Sequence, residues 1–475
     1  MATTTDPGAG SSERVSPRTR WALAAIAAIL LVAQWLLAAR AGQWTHASAR
    51  TIGDVLPLML LLGVPALLGL VAAPAMLRLQ PAAGGLWGML AVGLAMRLVW
   101  YGAPAPLEDD FYRYLWDGAV VAAGHSPYAL SPAEVAAGQG VPAGLASRAA
   151  EARDVLARIN FPEMTSIYPG FTQVVFATAH LLAPFKLDGL RLVFLAADLA
   201  AIWALLGILK DLGRPPMVAA LYWLNPLVVW SSHATVHSDA LVPPLLLSAC
   251  LMAWRGRDVL TAALLAGAVG VKIWPVLLAP LLARSIHARG RSLLVPALVF
   301  GVAAGLLLAP LGLSALAGMR SGLVAYSEDW WNNNAFYAWA SYGVYHLFDG
   351  SRLALRAFRL ATALGIGLLA LGLAWRPPSS LRDMLGRAMI IAAALFYVSP
   401  TEFPWYALWF LGFAAALECR PLLLASATLV VYYCFFPLAA QGQLFVHLYY
   451  VAALHALPVW AWLAWDWWRQ RGRPA

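Results

Sequence analysis

The sequence predicts an all-α, polytopic membrane protein, and three features support this fold class. Of the 475 residues, 61% are hydrophobic and 12% are charged, whereas a soluble domain has about 45–50% apolar and about 25% charged residues. Apolar runs long enough to cross a bilayer as helices recur along the chain. Arginines and lysines concentrate in the short segments between these runs. We therefore expect one transmembrane helical bundle of about 11–14 helices.

The candidate spans follow one another along most of the chain. The first apolar run is longer than the apolar core of a signal peptide, which has about 7–15 residues, so we expect an uncleaved membrane anchor there. The apolar runs lie at residues 21–40, 53–77, 84–101, 168–185, 189–209, 215–231, 238–254, 259–283, 292–315, 355–375, 384–399, 403–418, 421–438 and 445–466.

Basic residues predict the orientation of the bundle, because arginine and lysine in short loops favour the cytoplasmic side. The domain at 21–466 then lies between a cytoplasmic tail at 1–20 and a basic cytoplasmic tail at 467–475. The loop at 102–167 and the segment at 316–354 lie outside. The cytoplasmic basic groups are Arg14, Arg18 and Arg20; Arg255 and Arg257; Arg284, Arg289 and Arg291; Arg376 and Arg382; and Arg469, Arg471 and Arg473.

Two regions do not fit straight crossings. Residues 259–283 begin and end on the basic side, so we expect two half-helices with Lys272 at the tip. Four apolar runs separate Tyr168, outside, from Arg255, inside, although an odd number is needed; one of them must be short, re-entrant or broken. Broken helices at membrane depth line cavities or pack within protein, which predicts a functional cavity.

The external loop at 102–167 is predicted to contain two short amphipathic helices lying on the membrane surface, at 109–124 and 145–158. Prolines separate the two. On the first helix, one face carries Asp110, Arg113, Tyr114 and Asp117.

Asp109 and Asp110 are the leading catalytic candidates. Asp109 would reach Arg113 one helical turn later, and the two adjacent acids raise each other's pKa. A carboxylate with a raised pKa is suited to accept a proton from a hydroxyl group. The alternative is an interfacial helix whose charges pair with one another while its aromatic residues form a belt.

Several motifs resemble those of bacterial GT-C type glycosyltransferases, in particular the polyprenol-phosphate-mannose-dependent mannosyltransferases and, more distantly, GPI mannosyltransferase I. They occur in the family's order over most of residues 105–410. Two positions depart from the family pattern, with Gly170 in place of a second proline and Ser238 in place of an asparagine. The motifs are Asp109-Asp110-x-x-Arg113-Tyr114-Leu115-Trp116-Asp117-Gly118, Gly124-His125-Ser126-Pro127-Tyr128, Thr165-Ser166-Ile167-Tyr168-Pro169, Asn225-Pro226, His237-Ser238-Asp239-Ala240, Val271-Lys272-Ile273-Trp274-Pro275 and Pro404-Trp405-Tyr406.

The resemblance implies transfer of a hexose, mannose first, from a polyprenyl-phosphate-sugar donor to a hydroxyl of a lipid or glycan acceptor outside the cytoplasm, normally with inversion. Asp109 or Asp110 would be the general base. A leaving phosphate near lipid needs a cation, and the candidates are Arg113, Lys272 and His237. The candidates for binding the sugar or the acceptor are Tyr114, Asp117, Tyr168, Asp239, Trp331, Asn333 and Glu402.

No cofactor is expected. His233 and His237, with Asp239 nearby, offer two ligand types without a clear third, so we expect a metal-independent enzyme. A divalent cation stays open, because some GT-C enzymes use one. The expected setting is the bacterial inner (cell) membrane, with the active site periplasmic or extracellular. The expected partners are the donor, the acceptor and membrane lipids, without nucleic acid, and the chain is expected to be a monomer.

Two other functions compete with this interpretation. A transporter or flippase of a lipid-linked saccharide would use similar broken helices and a charged cavity. Against it, the acids cluster on an external loop and no repeated halves are visible. A non-catalytic relative could simply bind polyprenyl lipid, but the intact pair Asp109 and Asp110 argues against that.

Overall fold

The computed structural model describes residues 16–78, 83–317, 322–324 and 330–471. These residues form helices and no β-strand, with one parallel bridge between Asn332 and Thr401, so the predicted all-α fold class is confirmed. The α-helices are α1 (Pro17–Ala39), α2 (Ile52–Arg78), α3 (Ala83–Leu98), α4 (Asp110–Ala122), α5 (Pro132–Ala137), α6 (Ala143–Glu151), α7 (Arg153–Leu156), α8 (Gly170–Leu182), α9 (Leu187–Asp211), α10 (Ala220–Trp223), α11 (Pro226–Val229), α12 (Val242–Trp254), α13 (Asp258–Val269), α14 (Ala279–His287), α15 (Leu294–Ala317), α16 (Ala335–Leu347), α17 (Arg352–Ala374), α18 (Leu381–Val398), α19 (Leu408–Leu417), α20 (Arg420–Thr428), α21 (Phe435–Ala440), α22 (Leu444–Val446) and α23 (Ala452–Arg471).

Short helices of other types occur where spans bend or end. The 3-10 helices are Ala41–Gln43, Pro216–Ala219, Ser238–Leu241, Trp274–Leu278, Pro404–Ala407 and Leu429–Cys434. The π-helices are Trp230–Ala234 and His447–Val451.

Within the described ranges, seven helices are long and apolar enough to cross a membrane, and an eighth span results if a bent pair is counted as one. Together with four shorter apolar helices, their number falls within the predicted range. The seven are Pro17–Ala39, Ile52–Met76, Leu187–Asp211, Leu294–Leu316, Arg352–Ala374, Arg420–Ala440 and Leu444–Arg471; the shorter ones are Gly84–Leu98, Gly170–Leu182, Asp258–Val269 and Pro404–Leu417.

Both irregular regions contain broken helices. The bent pair Pro226–Ala234 and Ser238–Trp254 turns by 113°, and Val236 in the turn has a positive φ of 56°. A second break separates α13 from the 3-10 helix that begins at Trp274, and Lys272 lies in it. The breaks place polar backbone and side chains beside the same end of α4.

Close backbone approaches fix α4 and α8 in the bundle. Gly118 of α4 lies against α8, where an added Cβ would be 2.4 Å from the Phe176 carbonyl oxygen. Gly170 begins α8 against α15, where an added Cβ would be 2.7 Å from the Leu307 oxygen. The second approach gives a physical reason for glycine where the family motif has proline, since proline also carries a Cβ.

Some local predictions need correction. The helix predicted at 145–158 is two helices, α6 and α7, separated at Ala152; the break lets Leu145 and Val155 both be buried. Helix α16 was not predicted, and the side chain of Asn334 caps its N-terminus. The predicted tail residues 1–15 and 472–475 lie outside the described residues.

Candidate functional site

The acid pair lies at the N-terminus of α4. Leu107, with a positive φ of 60°, turns the chain ahead of it, Asp109 is the N-cap residue and Asp110 is the first helical residue. The partial positive charge of a helix N-terminus favours carboxylates there. The amide Nδ2 of Asn160 donates to both acids, at 2.8 Å from Asp109 Oδ1 and 3.1 Å from Asp110 Oδ1.

The surroundings of the acid pair shift its protonation. Burial, followed by the charge of Asp110, raises the pKa of Asp109 to about 6, against the opposing effects of His46 and Asn160. Burial also raises the pKa of Asp110, while Asn160 and Lys272 oppose that shift. A carboxylate with a pKa near neutrality can take a proton and return it readily.

The two broken helices bring an imidazole and an ammonium group, those of His237 and Lys272, towards the acids. His237 lies in the 113° turn, fully buried, with Nδ1 3.7 Å from Asp110 Oδ2. Neither ring nitrogen of His237 has a hydrogen-bond partner among the described residues. Lys272 lies in the second break, and its Nζ is 3.3 Å from Asp239 Oδ2.

The remaining oxygen of Asp239 is also engaged. Trp409 donates from Nε1 to Asp239 Oδ1 at 2.7 Å, so the carboxylate is held from two sides and 1% exposed. Asp239 therefore acts as the counter-ion of Lys272, which lowers the cost of a charge in a mostly apolar bundle.

Aromatic rings pack against His237 and Lys272. The His237 ring stacks on Trp405, with centroids 3.5 Å apart and planes 9° apart, and Trp405 stacks on Phe403 at 4.6 Å. Lys272 Nζ lies 4.6 Å from the centroid of the Tyr406 ring. The Pro404-Trp405-Tyr406 motif thus supplies the aromatic surface on which the His237 ring stacks and the Lys272 ammonium group rests.

Arg113 is placed differently from the prediction that Asp109 would reach it. Its guanidinium donates from Nη1 to the Met164 oxygen and from Nη2 to the Phe161 oxygen, both at 2.9 Å. In the described part of the chain it makes no ion pair with Asp109. The tertiary structure explains this difference, because the loop after α7 folds back over α4 and offers two backbone carbonyl groups to the guanidinium.

Three predicted sugar-site residues pack behind the acids. Asp117 is 1% exposed and accepts hydrogen bonds from Ser166 Oγ at 2.5 Å and Gln173 Nε2 at 3.1 Å. The Tyr114 ring lies edge-on to Tyr168 at 5.0 Å. These contacts hold the Tyr168-Pro169 segment against α4.

Trp331, Asn333 and Glu402 form a separate group. Glu402 is completely buried, with Oε2 2.9 Å from His455 Nε2, and burial raises its pKa well above the usual range. Asn333 donates from Nδ2 to the backbone carbonyl oxygen of Glu402 at 2.8 Å, and the Trp331 ring lies 6.1 Å from that of Tyr449. The group connects to the acid site through residues 403–405. The neighbouring acids and serine at 325–329 lie outside the described residues.

Sequence reasoning missed several residues of the site. Asn160 contacts both acids from about 50 positions away in sequence, and Trp409 holds Asp239. Glu108, beside the pair, has one buried carboxylate oxygen without a partner among the described residues. Of these three residues, only Glu108 could have been found from the sequence, because it belongs to the same acidic run as Asp109 and Asp110.

The metal hypothesis at His233 and His237 gains no support from a ligand cluster. His233 Nδ1 is instead 2.8 Å from Ser232 Oγ. In the described ranges, no group of three or more histidine, cysteine, aspartate or glutamate side chains is arranged to hold a metal ion.

The comparisons with known proteins bear on the broken-helix half of the site. Residues 165–288 match the MptA_B family, described as alpha-(1→6)-mannopyranosyltransferase, N-terminal domain. That range contains His237, Asp239 and Lys272, whereas the acid pair precedes it. Neither the curated proteins nor the solved structures contain a match to the chain. The family match confirms the resemblance to GT-C mannosyltransferases that the motif order predicted. Together with the apolar helices, it supports a membrane glycosyltransferase.

Proposed function

We propose that this protein transfers mannose, or a closely related hexose, from a polyprenyl-phosphate-sugar donor to an acceptor hydroxyl on the non-cytoplasmic side of the membrane. One observation carries the proposal. A pair of acids at a helix N-terminus lies next to a buried histidine and a lysine from two broken helices, with 3.7 Å between Asp110 Oδ2 and His237 Nδ1. This arrangement combines a proton acceptor with groups that stabilise a leaving phosphate.

The reaction proceeds by displacement at the anomeric carbon of the donor. The acceptor oxygen forms a bond to C1 as the bond from C1 to the phosphate oxygen breaks, and the electron pair leaves with the polyprenyl phosphate. An aspartate takes the acceptor proton, and water then receives it. Lys272, balanced by Asp239, and His237 contact the phosphate, whose charge increases as it leaves.

Inversion favours Asp109 as the base. An inverting displacement needs the attacking and leaving oxygens on opposite faces of C1. Asp110 lies next to His237, at 3.7 Å, whereas burial and the Asp110 charge raise the pKa of Asp109 to about 6. Asp110 then orients His237 and helps to fix the donor.

Arg113 is proposed to hold the loop over α4 because both ends of its guanidinium are engaged by backbone oxygens. Tyr114, Asp117 and Tyr168 are proposed to shape the acceptor side of the site. Trp331, Asn333 and Glu402 are proposed to support the aromatic wall from behind, since Glu402 is fully buried against His455.

The distribution of charge supports an external active site. The N-terminal end of α9 meets the start of the acid loop, where the Gly102 amide donates to Asp188 Oδ1 at 3.0 Å. The other end of α9 carries Asp211, which accepts two hydrogen bonds from Arg255. A helix of 25 residues is about 37 Å long, which is long enough to cross a bilayer. This length supports the proposal that the acids and the arginine-rich end face opposite sides.

The test uses synthetic polyprenyl-phosphate-mannose with the purified full chain in liposomes. We expect sugar release or transfer by the wild type, and a fall in rate of about 10²–10⁴ for Asp109→Asn, the size of general-base catalysis. Asp110→Asn and Lys272→Met are expected to weaken donor use. Glu163→Gln, an exposed change on the same loop, is the control for folding and insertion.

The transporter alternative predicts a different result in the same liposomes. Intact sugar-lipid that moves between leaflets, without any sugar release from a panel of donor hexoses, would overturn the transferase proposal. Equal rates for wild type and Asp109→Asn would remove Asp109 as the base while leaving the transferase proposal standing.

A further inference from the structure

Asn160 links the two acids of the site, although no sequence motif points to it. Its single amide nitrogen donates to one oxygen of each carboxylate, at 2.8 and 3.1 Å. A side-chain amide has two N–H groups, so one nitrogen can serve both acceptors at once. The geometry therefore ties two like charges to one neutral donor.

The loop that carries Asn160 is anchored to α4 itself. Arg113 donates to the Phe161 and Met164 oxygens, on either side of Pro162. Phe161 has a positive φ of 49°, an unusual conformation for a bulky residue that surrounding contacts must hold. Because Arg113 is one turn beyond Asp110, the same helix fixes both the acids and the loop that contacts them.

We propose that Asn160 is a positioning residue that keeps the acid pair ionised and oriented for proton transfer, and that Arg113 serves the reaction by holding the Asn160 loop in place. This proposal rests on the transferase function proposed above and adds to it a residue that controls the base.

Hydrogen bonding to the charged form of an acid favours that form. Asn160 accordingly lowers the pKa of both Asp109 and Asp110. Burial opposes this effect at both acids, and the Asp110 charge also opposes it at Asp109. Loss of the amide is expected to raise the pKa of the base, so the enzyme would need a higher pH to be active. A negative charge at the same place is expected to raise it further.

Other charged or titratable groups face the acids from several elements, and all of them remain in every variant tested. A difference between variants therefore reports Asn160 and not these neighbours. They are His46, Glu108, Arg113, Tyr114, Tyr168, His237, Asp239, Lys272 and Tyr432.

The experiment measures kcat/KM against pH for the full chain in liposomes, with wild type, Asn160→Ala, Asn160→Asp and the loop control Glu163→Gln. We expect the acid limb of Asn160→Ala to move up by about one pH unit, the size of one hydrogen bond to a charged group. Asn160→Asp should move it further, while Glu163→Gln should follow the wild type. A purely structural role would lower the rate at every pH without moving the limb, and that result would overturn the proposal.

A second measurement does not depend on transferase activity. Carbodiimide with an amine labels protonated carboxyl groups preferentially, and mass spectrometry of the peptide around Glu108–Asp110 reports labelling at each pH. Asn160→Ala should extend labelling of Asp109 and Asp110 to higher pH than in wild type. If labelling shifts in this way but the protein has no transferase activity, the role of Asn160 stands and the proposed function is rejected. Identical labelling curves for wild type and Asn160→Ala would reject the role of Asn160.

Discussion

Asp109 combines the properties of a general base in one side chain. It is half-buried at a helix N-terminus, and burial with the neighbouring Asp110 charge raises its pKa to about 6. Its carboxylate form is the active one, so the fraction able to accept a proton decreases as the pH falls through that value.

We predict a kcat/KM profile that is level above about pH 6 and falls roughly tenfold per pH unit below it. The measurement is initial sugar transfer at saturating acceptor and limiting donor, with thermal melting at each pH to show that the protein remains folded. A profile without an acid limb between pH 5 and pH 7 would contradict the assignment of an aspartate with this pKa.

The sequence predicts the location of some site residues, but not the contacts or burial of others. The motif order grouped Asp109, Asp110, His237 and Lys272, and the structure brings them into one cluster. The partners of Arg113 could not be predicted, because they are backbone oxygens whose position depends on the path of a loop. The burial of Glu402 could not be predicted either, because the sequence places this residue at the start of a helix, where an acid is usually exposed.

The 113° bend is held by buried charges that belong to neighbouring helices. Arg97 of α3 donates from Nε to Asp198 of α9 at 2.7 Å and from Nη1 to the Trp223 oxygen at 3.0 Å. Ser232 in the bent segment donates to Asp198 at 3.1 Å, and Arg191 donates to the His233 oxygen at 2.9 Å. The bend that presents His237 is therefore tied to two other helices.

We predict that Arg97→Met or Asp198→Asn alone destabilises the protein by about 3–5 kcal/mol, because each leaves a buried partner uncompensated. The double variant Arg97→Met/Asp198→Asn should lose less than the sum of the two single changes. Thermal melting in detergent measures both, with exposed Arg257→Gln as the control. Additive losses would show that the two side chains do not act as a pair.

Gly170 shows why one motif departs from its family. An added Cβ would lie 2.7 Å from the Leu307 oxygen, which is closer than packed atoms tolerate. We predict that Gly170→Ala costs about 1–3 kcal/mol, as overpacking does, and lowers the melting temperature. Gly305→Ala on α15, where nothing lies within 4 Å of the added Cβ, should have no such effect. Equal melting temperatures for the two variants would show that α8 and α15 separate freely.

At the level of helices, the sequence predicts that two membrane helices are interrupted, but it does not predict the geometry of the interruptions. The parity of basic loops placed one break between 168 and 254 and another near Lys272, and the structure has both. Charge counting gives the number of crossings and no geometry. The turn at 235–237 depends on Val236 at positive φ and on contacts with α3 and α9, which lie far away in sequence.

The bundle as a whole separates two kinds of charge. One end of α9 meets the acid loop at Asp188, and the other meets Arg255 at Asp211. Near that second end, Asp258 accepts from Arg289 and Arg291. Paired arginines lie at one end, and a cluster of acids, imidazole and lysine lies at the other. This distribution agrees with the proposed orientation, in which the basic loops face the cytoplasm and the acids face the opposite side.

This separation predicts opposite accessibility for two exposed positions. In a background with Cys250, Cys419 and Cys434 replaced by alanine, Glu163→Cys lies on the loop over the acids and Arg257→Cys lies beside Asp258. A membrane-impermeant maleimide added to intact cells, or to spheroplasts where an outer membrane intervenes, should label only position 163. Disruption of the membrane should then expose position 257. Labelling of position 257 alone in intact cells would invert the bundle, place the acid pair in the cytoplasm and require a donor presented on that side.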